Sequence, residues 1–135
     1  MTVRTYLFAC VHNAGRSQMA AAWLEQLADP SKARSISAGT QPGARVHPEV
    51  AVAMREVGIE LEGRAPRRLT EELAREASML ITMGCGEECP VVPGVRREDW
   101  PLPDPKGRPM DEVRAIRDEV KARVLDLVAR EGLAP

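Results

Sequence analysis

The sequence predicts one α/β domain over residues 1–135, a three-layer α/β/α arrangement around a central four-stranded parallel sheet. Three observations predict it. Short β-rich runs alternate with stretches of helical periodicity, so consecutive strands need crossovers, which make the sheet parallel and cover both its faces. The run from Ser78 to Met83 is apolar throughout, as a strand buried on both faces requires. The length of 135 residues suits a single core.

The elements follow in order. Val3 to Ala9 is a β-rich run that ends directly at Cys10. From Ser17 the apolar residues Ala20, Trp23, Leu24 and Leu27 fall at helical spacing, and Asp29-Pro30 stops that helix. Ser35 to Ala38 reads as a second strand closed by Gly39. His47-Pro48 opens a helix with proline at its first position; Val50, Met54 and Val57 share a face before Gly58 ends it. Thr70 suits the N-cap of a short helix running through Ala77. The proline-rich stretch from Gly84 to Pro109 reads as loop, with a short strand near Asp99 to Leu102. The last helix spans Asp111 to Glu131, with Val113, Ile116, Val120, Val124 and Leu127 as its core stripe and Gly132 as its C-cap. No internal repeat or low-complexity tract interrupts this order.

Composition narrows the function. A formal net charge of −1 argues against nucleic-acid or membrane-surface binding carried by bulk charge. The first residues lack a signal-peptide layout, and no apolar run reaches the length of a membrane span, so a cytoplasmic setting is expected. Three cysteines in a reducing compartment point to chemistry rather than staples, and an odd count cannot pair fully within one chain.

Ligands of parallel sheets bind at the carboxyl ends of strands, and Cys10 and Cys85 both stand just past such ends. Cys10-Val11-His12-Asn13-Ala14-Gly15-Arg16-Ser17 links a strand to a helix. A loop this tight can turn its N–H groups inward as a nest for a tetrahedral anion, and the helix adds its own unpaired N–H groups and dipole. Arg16 supplies a bidentate fork that lysine would not reproduce. The same positive field favours the thiolate of Cys10, making it a nucleophile toward a phosphate-like oxyanion. Ser17 is placed to donate to the sulfur and Asn13 to brace the loop through bonds to its backbone. His12 reads as a partly exposed residue shaping the nest.

Displacement at an oxyanion needs a proton for the leaving oxygen. Asp104, stiffened by Pro103 and Pro105, is the candidate acid. Cys85 and Cys89 lie in Met83-Gly84-Cys85-Gly86-Glu87-Glu88-Cys89-Pro90. An exchange relay needs a thiolate that reaches Cys10 and a third thiol to free it. Extended chain would set Cys85 and Cys89 about 13 Å apart, whereas a helical turn brings their Cα atoms to about 6 Å, so a turned segment that refolds in turnover is expected. Metal ligation by the pair, and an incidental placement of both, stay open at this level.

These residues resemble the arsenate reductases built on the low-molecular-weight protein tyrosine phosphatase fold, over nearly the whole chain. The resemblance is carried by Cys10 to Met19, Ser37-Ala38-Gly39, Ile81-Thr82-Met83, Cys89-Pro90, Trp100, Asp104-Pro105 and Ile116-Arg117-Asp118-Glu119. It implies Cys10 as the nucleophile toward arsenate, Arg16 and the loop as the anion site, and Asp104 as the acid. It further implies Cys85 as the first resolving thiol, releasing arsenite, and Cys89 as the second, which presents the disulfide to thioredoxin or a similar thiol donor. Some members bind potassium beside the loop; Ala21, Ala65 and Arg67 stand at three of those ligand positions, so no metal is expected, nor any other cofactor. Tyrosine phosphatases of this fold usually carry a cysteine where this chain has Gly15, and often aromatics where Lys106-Gly107 follow Asp104-Pro105. The expected activity is therefore arsenate reduction in arsenic detoxification, with phosphomonoester hydrolysis through a Cys10 phosphocysteine as the alternative and an oxyanion sensor as a non-enzymatic third. Phosphate and sulfate are expected as substrate analogues, and a monomer as the oligomeric state.

Overall fold

A computed structural model describes residues 2–84 and 92–135. Four strands, β1 (Arg4–Cys10), β2 (Ala33–Gly39), β3 (Met79–Thr82) and β4 (Arg96–Asp99), form one sheet in the order β2-β1-β3-β4, every pair parallel. Among the described residues four helices accompany them: α1 (Arg16–Leu27), α2 (Pro48–Arg55), α3 (Glu71–Arg75) and α4 (Met110–Glu131). The sheet is the four-stranded parallel one that the alternation predicts.

The central strand β1 shows why both faces are covered. Tyr6, Phe8 and Cys10 point into the larger core with residues of α1, α2 and α4, while Leu7 and Ala9 pack with Ala74 of α3, Leu69 and Leu80 on the other face. Side chains alternate along a strand, so each face of β1 receives its own apolar set. All five predicted core residues of α4, from Val113 to Leu127, are buried.

Helix ends follow local chemistry. The Thr70 side chain accepts from Leu73 N at 3.0 Å, capping α3 as predicted, although α3 stops at Arg75 rather than Ala77. Gly58 and Gly132 both take positive φ just past α2 and α4. The N–H groups of Ile59 and Leu133 then reach back to Met54 O and Val128 O, a Schellman closure that a residue with a Cβ would strain.

The fourth strand is a correction. It spans Arg96–Asp99, not Asp99 to Leu102. Beyond Trp100 the chain carries Pro101 and Pro103, which have no N–H to donate to a ladder. The true strand escapes a search for apolar alternation because it reads Arg-Arg-Glu-Asp. Its hold on the sheet edge comes partly from ion pairs to α4, Arg96–Glu131 at 2.5 Å and Glu98–Arg130 at 2.7 Å. Trp100 then turns inward, donating its backbone N–H to Thr82 O and its ring to Phe8, with centroids 5.7 Å apart. This turn sends the following residues across the carboxyl ends of β1 and β3.

Candidate functional site

The loop between β1 and α1 has an unusual backbone economy. The carbonyl of every residue from Cys10 to Gly15 accepts a bond from outside the loop. Thr40, Gln41, Gly43 and His47 donate their backbone N–H groups to Cys10, Val11, His12 and Ala14; Gln18 Nε2 donates to Asn13 O, and Met19 N to Gly15 O. Among the described residues, no group accepts from the N–H groups of Val11 through Arg16. Carbonyls tied outward leave the N–H groups turned toward the concave side, which is the nest a tetrahedral anion needs. Helix α1 begins there with Gly15 at its N-cap and no side-chain cap, so its first N–H groups are unclaimed as well.

The polar residues under this loop are buried and connected. Asn13 is fully buried, with φ +51°. A backbone N–H can only donate, so the bond from Arg67 N at 3.0 Å fixes which end of the Asn13 amide is oxygen. The amide nitrogen therefore faces Ser17 and donates to its Oγ at 2.7 Å. Ser17 Oγ also stands 2.8 Å from Cys10 Sγ, within hydrogen-bond reach. Asn13 and Ser17 link the Arg67 backbone to Cys10. Asn13 thus braces the loop through Ser17 and the Arg67 backbone rather than through the loop's own backbone, which differs from the sequence expectation.

Arg16 is also buried, 8% exposed, and its Nη1 donates to Leu102 O at 2.9 Å. Its Nη2 stands 3.9 Å from Asp104 Oδ2. Gly84 lies against the guanidinium so closely, at φ +94°, that a Cβ on it would overlap Nη1. The Asp104 carboxyl is half-exposed and its Oδ1 accepts from Lys106 N at 3.0 Å. Cys10, Arg16, Ser17 and Asp104 are therefore brought to one rim, at the carboxyl ends of β1 and β3. His12 is half-buried beside them, its Nδ1–H bonded to Gln41 O at 3.0 Å. Cys85 and Cys89 lie outside the described residues.

Three contributors went unread in the sequence. Gln18, 2% exposed, ties the loop from α1, and only its burial on the helix's first turn could have signalled it. Leu102 contributes a backbone oxygen, which no side-chain pattern reports. His47 sits at the rim with burial pushing its imidazole below the usual histidine range, against the opposing pull of Glu49 and Asp104. Ala21, Ala65 and Arg67 line one hollow of about 220 Å³ that Gln18 and Glu25 share. Among the described residues, no cluster of His, Cys, Asp and Glu could hold a metal ion, and no helix is long and apolar enough to cross a membrane.

The comparisons with known proteins accord with this geometry. An arsenate reductase of Staphylococcus aureus is 33% identical over 135 residues, covering 96% of this chain and all of that one. A solved structure of a thioredoxin-dependent arsenate reductase from Corynebacterium glutamicum superposes with a TM-score of 0.84 at 37% identity, covering 96% of this chain; this chain spans 62% of its length. An arsenate reductase solved in a phosphate-binding state superposes with a TM-score of 0.82 at 32% identity, covering 95% of this chain and 98% of that one. Residues 5–133 match the low molecular weight phosphotyrosine protein phosphatase family, and the chain belongs to it.

Proposed function

We propose that this protein is an arsenate reductase in which Cys10 attacks arsenate and a relay through Cys85 and Cys89 releases arsenite. The observation that carries the reading is the 2.8 Å hydrogen bond between Ser17 Oγ and the Cys10 sulfur, at the head of a loop whose carbonyls are all bonded to groups outside it. The arsenate reductases of S. aureus and C. glutamicum support it.

The chemistry runs as follows. Arsenate settles on the N–H groups of Val11, His12, Asn13, Ala14, Gly15, Arg16 and Ser17, with the Arg16 guanidinium forking two of its oxygens. The Cys10 sulfur bonds to arsenic while Asp104 gives its proton to the departing oxygen, which leaves as water. The Cys85 thiolate then attacks the Cys10 sulfur. The sulfur–arsenic bond breaks toward arsenic, whose electron pair makes it arsenic(III), and a Cys10–Cys85 disulfide forms. Cys89 attacks Cys85 in turn, freeing Cys10 and leaving a Cys85–Cys89 disulfide for thioredoxin or a similar dithiol to reduce. Support for the relay comes from Gly84, which packs on Arg16 and directly precedes Cys85 in the chain. A reducing, cytoplasmic setting suits three working thiols.

Reduced protein given arsenate without external thiol tests this. About one arsenite released and two thiols lost per chain are expected, as a two-electron exchange demands. No arsenite, with brisk hydrolysis of para-nitrophenyl phosphate, would assign the protein to phosphomonoester hydrolysis instead. Multiple-turnover reduction that survives both Cys85→Ser and Cys89→Ser would remove the relay.

A further inference from the structure

Gly15, with φ −143° and ψ −91°, holds a backbone outside the β and right-handed helical regions that other residues favour. A neighbour calls for glycine as well. A Cβ on Gly15 would stand 2.8 Å from Pro105 Cγ, 3.4 Å from Pro105 Cδ and 3.5 Å from His47 Cδ2. The first of these distances is far inside van der Waals contact for two carbons. Pro105 is itself buried, although Pro103, Lys106, Gly107 and Arg108 around it are exposed. A buried ring in an exposed segment is an anchor, and the bare backbone of Gly15 is where it seats.

The geometry points to Gly15 as a positioning residue that docks Pro105 and thereby holds the Asp104 carboxyl over the oxyanion loop. This rests on the reading of Asp104 as the proton donor. Two weaker ties accompany the seat: Arg108 Nε donates to Asp104 O at 2.6 Å, and Gly107 N to Glu49 Oε1 at 3.3 Å. Both come from exposed groups. The bond from Arg16 Nη1 to Leu102 O at 2.9 Å holds the two loops together upstream of Asp104, and the Gly15–Pro105 contact holds them downstream, joining the residue before Arg16 to the residue after Asp104. A side chain at position 15 lifts the Asp104 segment away, so the proton arrives from a displaced carboxyl.

A double-substitution cycle tests the seat. Pro105→Ala removes Cγ and Cδ, the two atoms that a methyl at position 15 would strike. In the parent chain, Gly15→Ala is expected to slow single-turnover arsenite release by about tenfold or more, within the range a general acid supplies. In the Pro105→Ala background the same substitution slows the rate by a factor at least about threefold smaller, since the strain that alanine meets in its own backbone is common to both backgrounds and cancels in the cycle. Alkylation of Cys10, which needs no proton donor, falls by a smaller factor than arsenite release. Amide exchange at Lys106 and Gly107 quickens in Gly15→Ala and returns toward its Pro105→Ala value in the double variant. Equal factors in both backgrounds, or unchanged exchange, would overturn the seat. A parent chain that releases no arsenite refutes the arsenate reductase reading instead, and exchange then decides the seat alone. Should Gly15→Ala fail to fold, folding of the double variant supports the contact and its failure refutes it.

Discussion

Replacing Asn13 with alanine should cost this small protein a large share of its stability. Asn13 is fully buried and makes two good bonds, to Ser17 Oγ at 2.7 Å and from Arg67 N at 3.0 Å. A third, from Gln18 Nε2 to its Oδ1 at 3.4 Å, is long and is left out of the sum. Alanine leaves a buried acceptor and a backbone donor without partners, at about 1–2 kcal/mol each. It must also hold φ near +51°, which asparagine tolerates and alanine does not, adding about 1 kcal/mol. The sum is about 3–5 kcal/mol. With an unfolding entropy of about 2.1 cal/mol/K per residue, a chain this long loses about 10–18 °C in Tm. Thermal unfolding followed by circular dichroism measures it. Asn13→Gly loses the same bonds without the backbone strain and should melt above Asn13→Ala by about 0.5–1 kcal/mol equivalent. An Asn13→Ala protein melting within about 3 °C of the parent, or Asn13→Gly melting below Asn13→Ala, would refute the assignment of this residue as the keystone of the loop.

Asp104→Asn keeps the size of the side chain but has no acidic proton to give, so single-turnover arsenite release should fall about 100-fold or more. Alkylation of Cys10 continues in that variant, and a rate within about threefold of the parent would take the acid role from Asp104. Tyr6 offers a pH signature far from the site. Burial, then its bond to Glu131 at 2.8 Å, push its phenol from 10.0 up to about 12. A group whose folded pKa is raised contributes stability that is complete below the unfolded value and is lost as pH climbs through the folded one. Denaturant unfolding should therefore lose this contribution between pH 10 and about 12, and Tyr6→Phe should flatten that decline. It is the only tyrosine, so tyrosinate absorbance reads the titration directly; ionisation at its ordinary value in the folded protein would sink the argument.

Periodicity made the strand and helix order legible, and with it the rim where Cys10 stands, because burial imposes the same alternation that the sequence displays. It failed at β4, where charge rather than apolarity does the holding: Glu98 and Arg96 pair with Arg130 and Glu131, and no local pattern announces partners more than thirty residues away. The loop was legible as a spacing between strand and helix. Its supports were not. Arg67 N and Leu102 O are backbone atoms brought in by tertiary folding; any residue could have carried the second, and any but proline the first. Gly15 was noticed only for the side chain it lacks, whereas the contact with Pro105 spans the whole distance between two loops. Reading a glycine as a space that something else occupies requires knowing the neighbour.

The helices themselves argue for an anion at the head of α1. Helices α2, α3 and α4 each carry acidic residues in the first turn, Glu49 in α2, Glu71 and Glu72 in α3, Asp111 and Glu112 in α4. Those carboxylates offset the partial positive charge of the helix N-terminus. Among the described helices only α1 has none; its first turn is Arg16, Ser17 and Gln18, all buried, and it adds a cation to the positive end. Left alone, that arrangement forgoes the stabilisation the other three helices take. It becomes favourable when a divalent oxyanion and a thiolate are the charges that complete it, because both then receive N–H groups that no carboxylate has claimed. The Asp104 carboxylate at 3.9 Å from Arg16 is the nearest substitute, and its partial exposure keeps the pairing weak enough to yield. A site built this way binds charge in preference to shape. On the proposed reading phosphate and arsenate enter alike, and the choice between hydrolysis and reduction falls to whatever attacks the Cys10 adduct next, water or a second thiol.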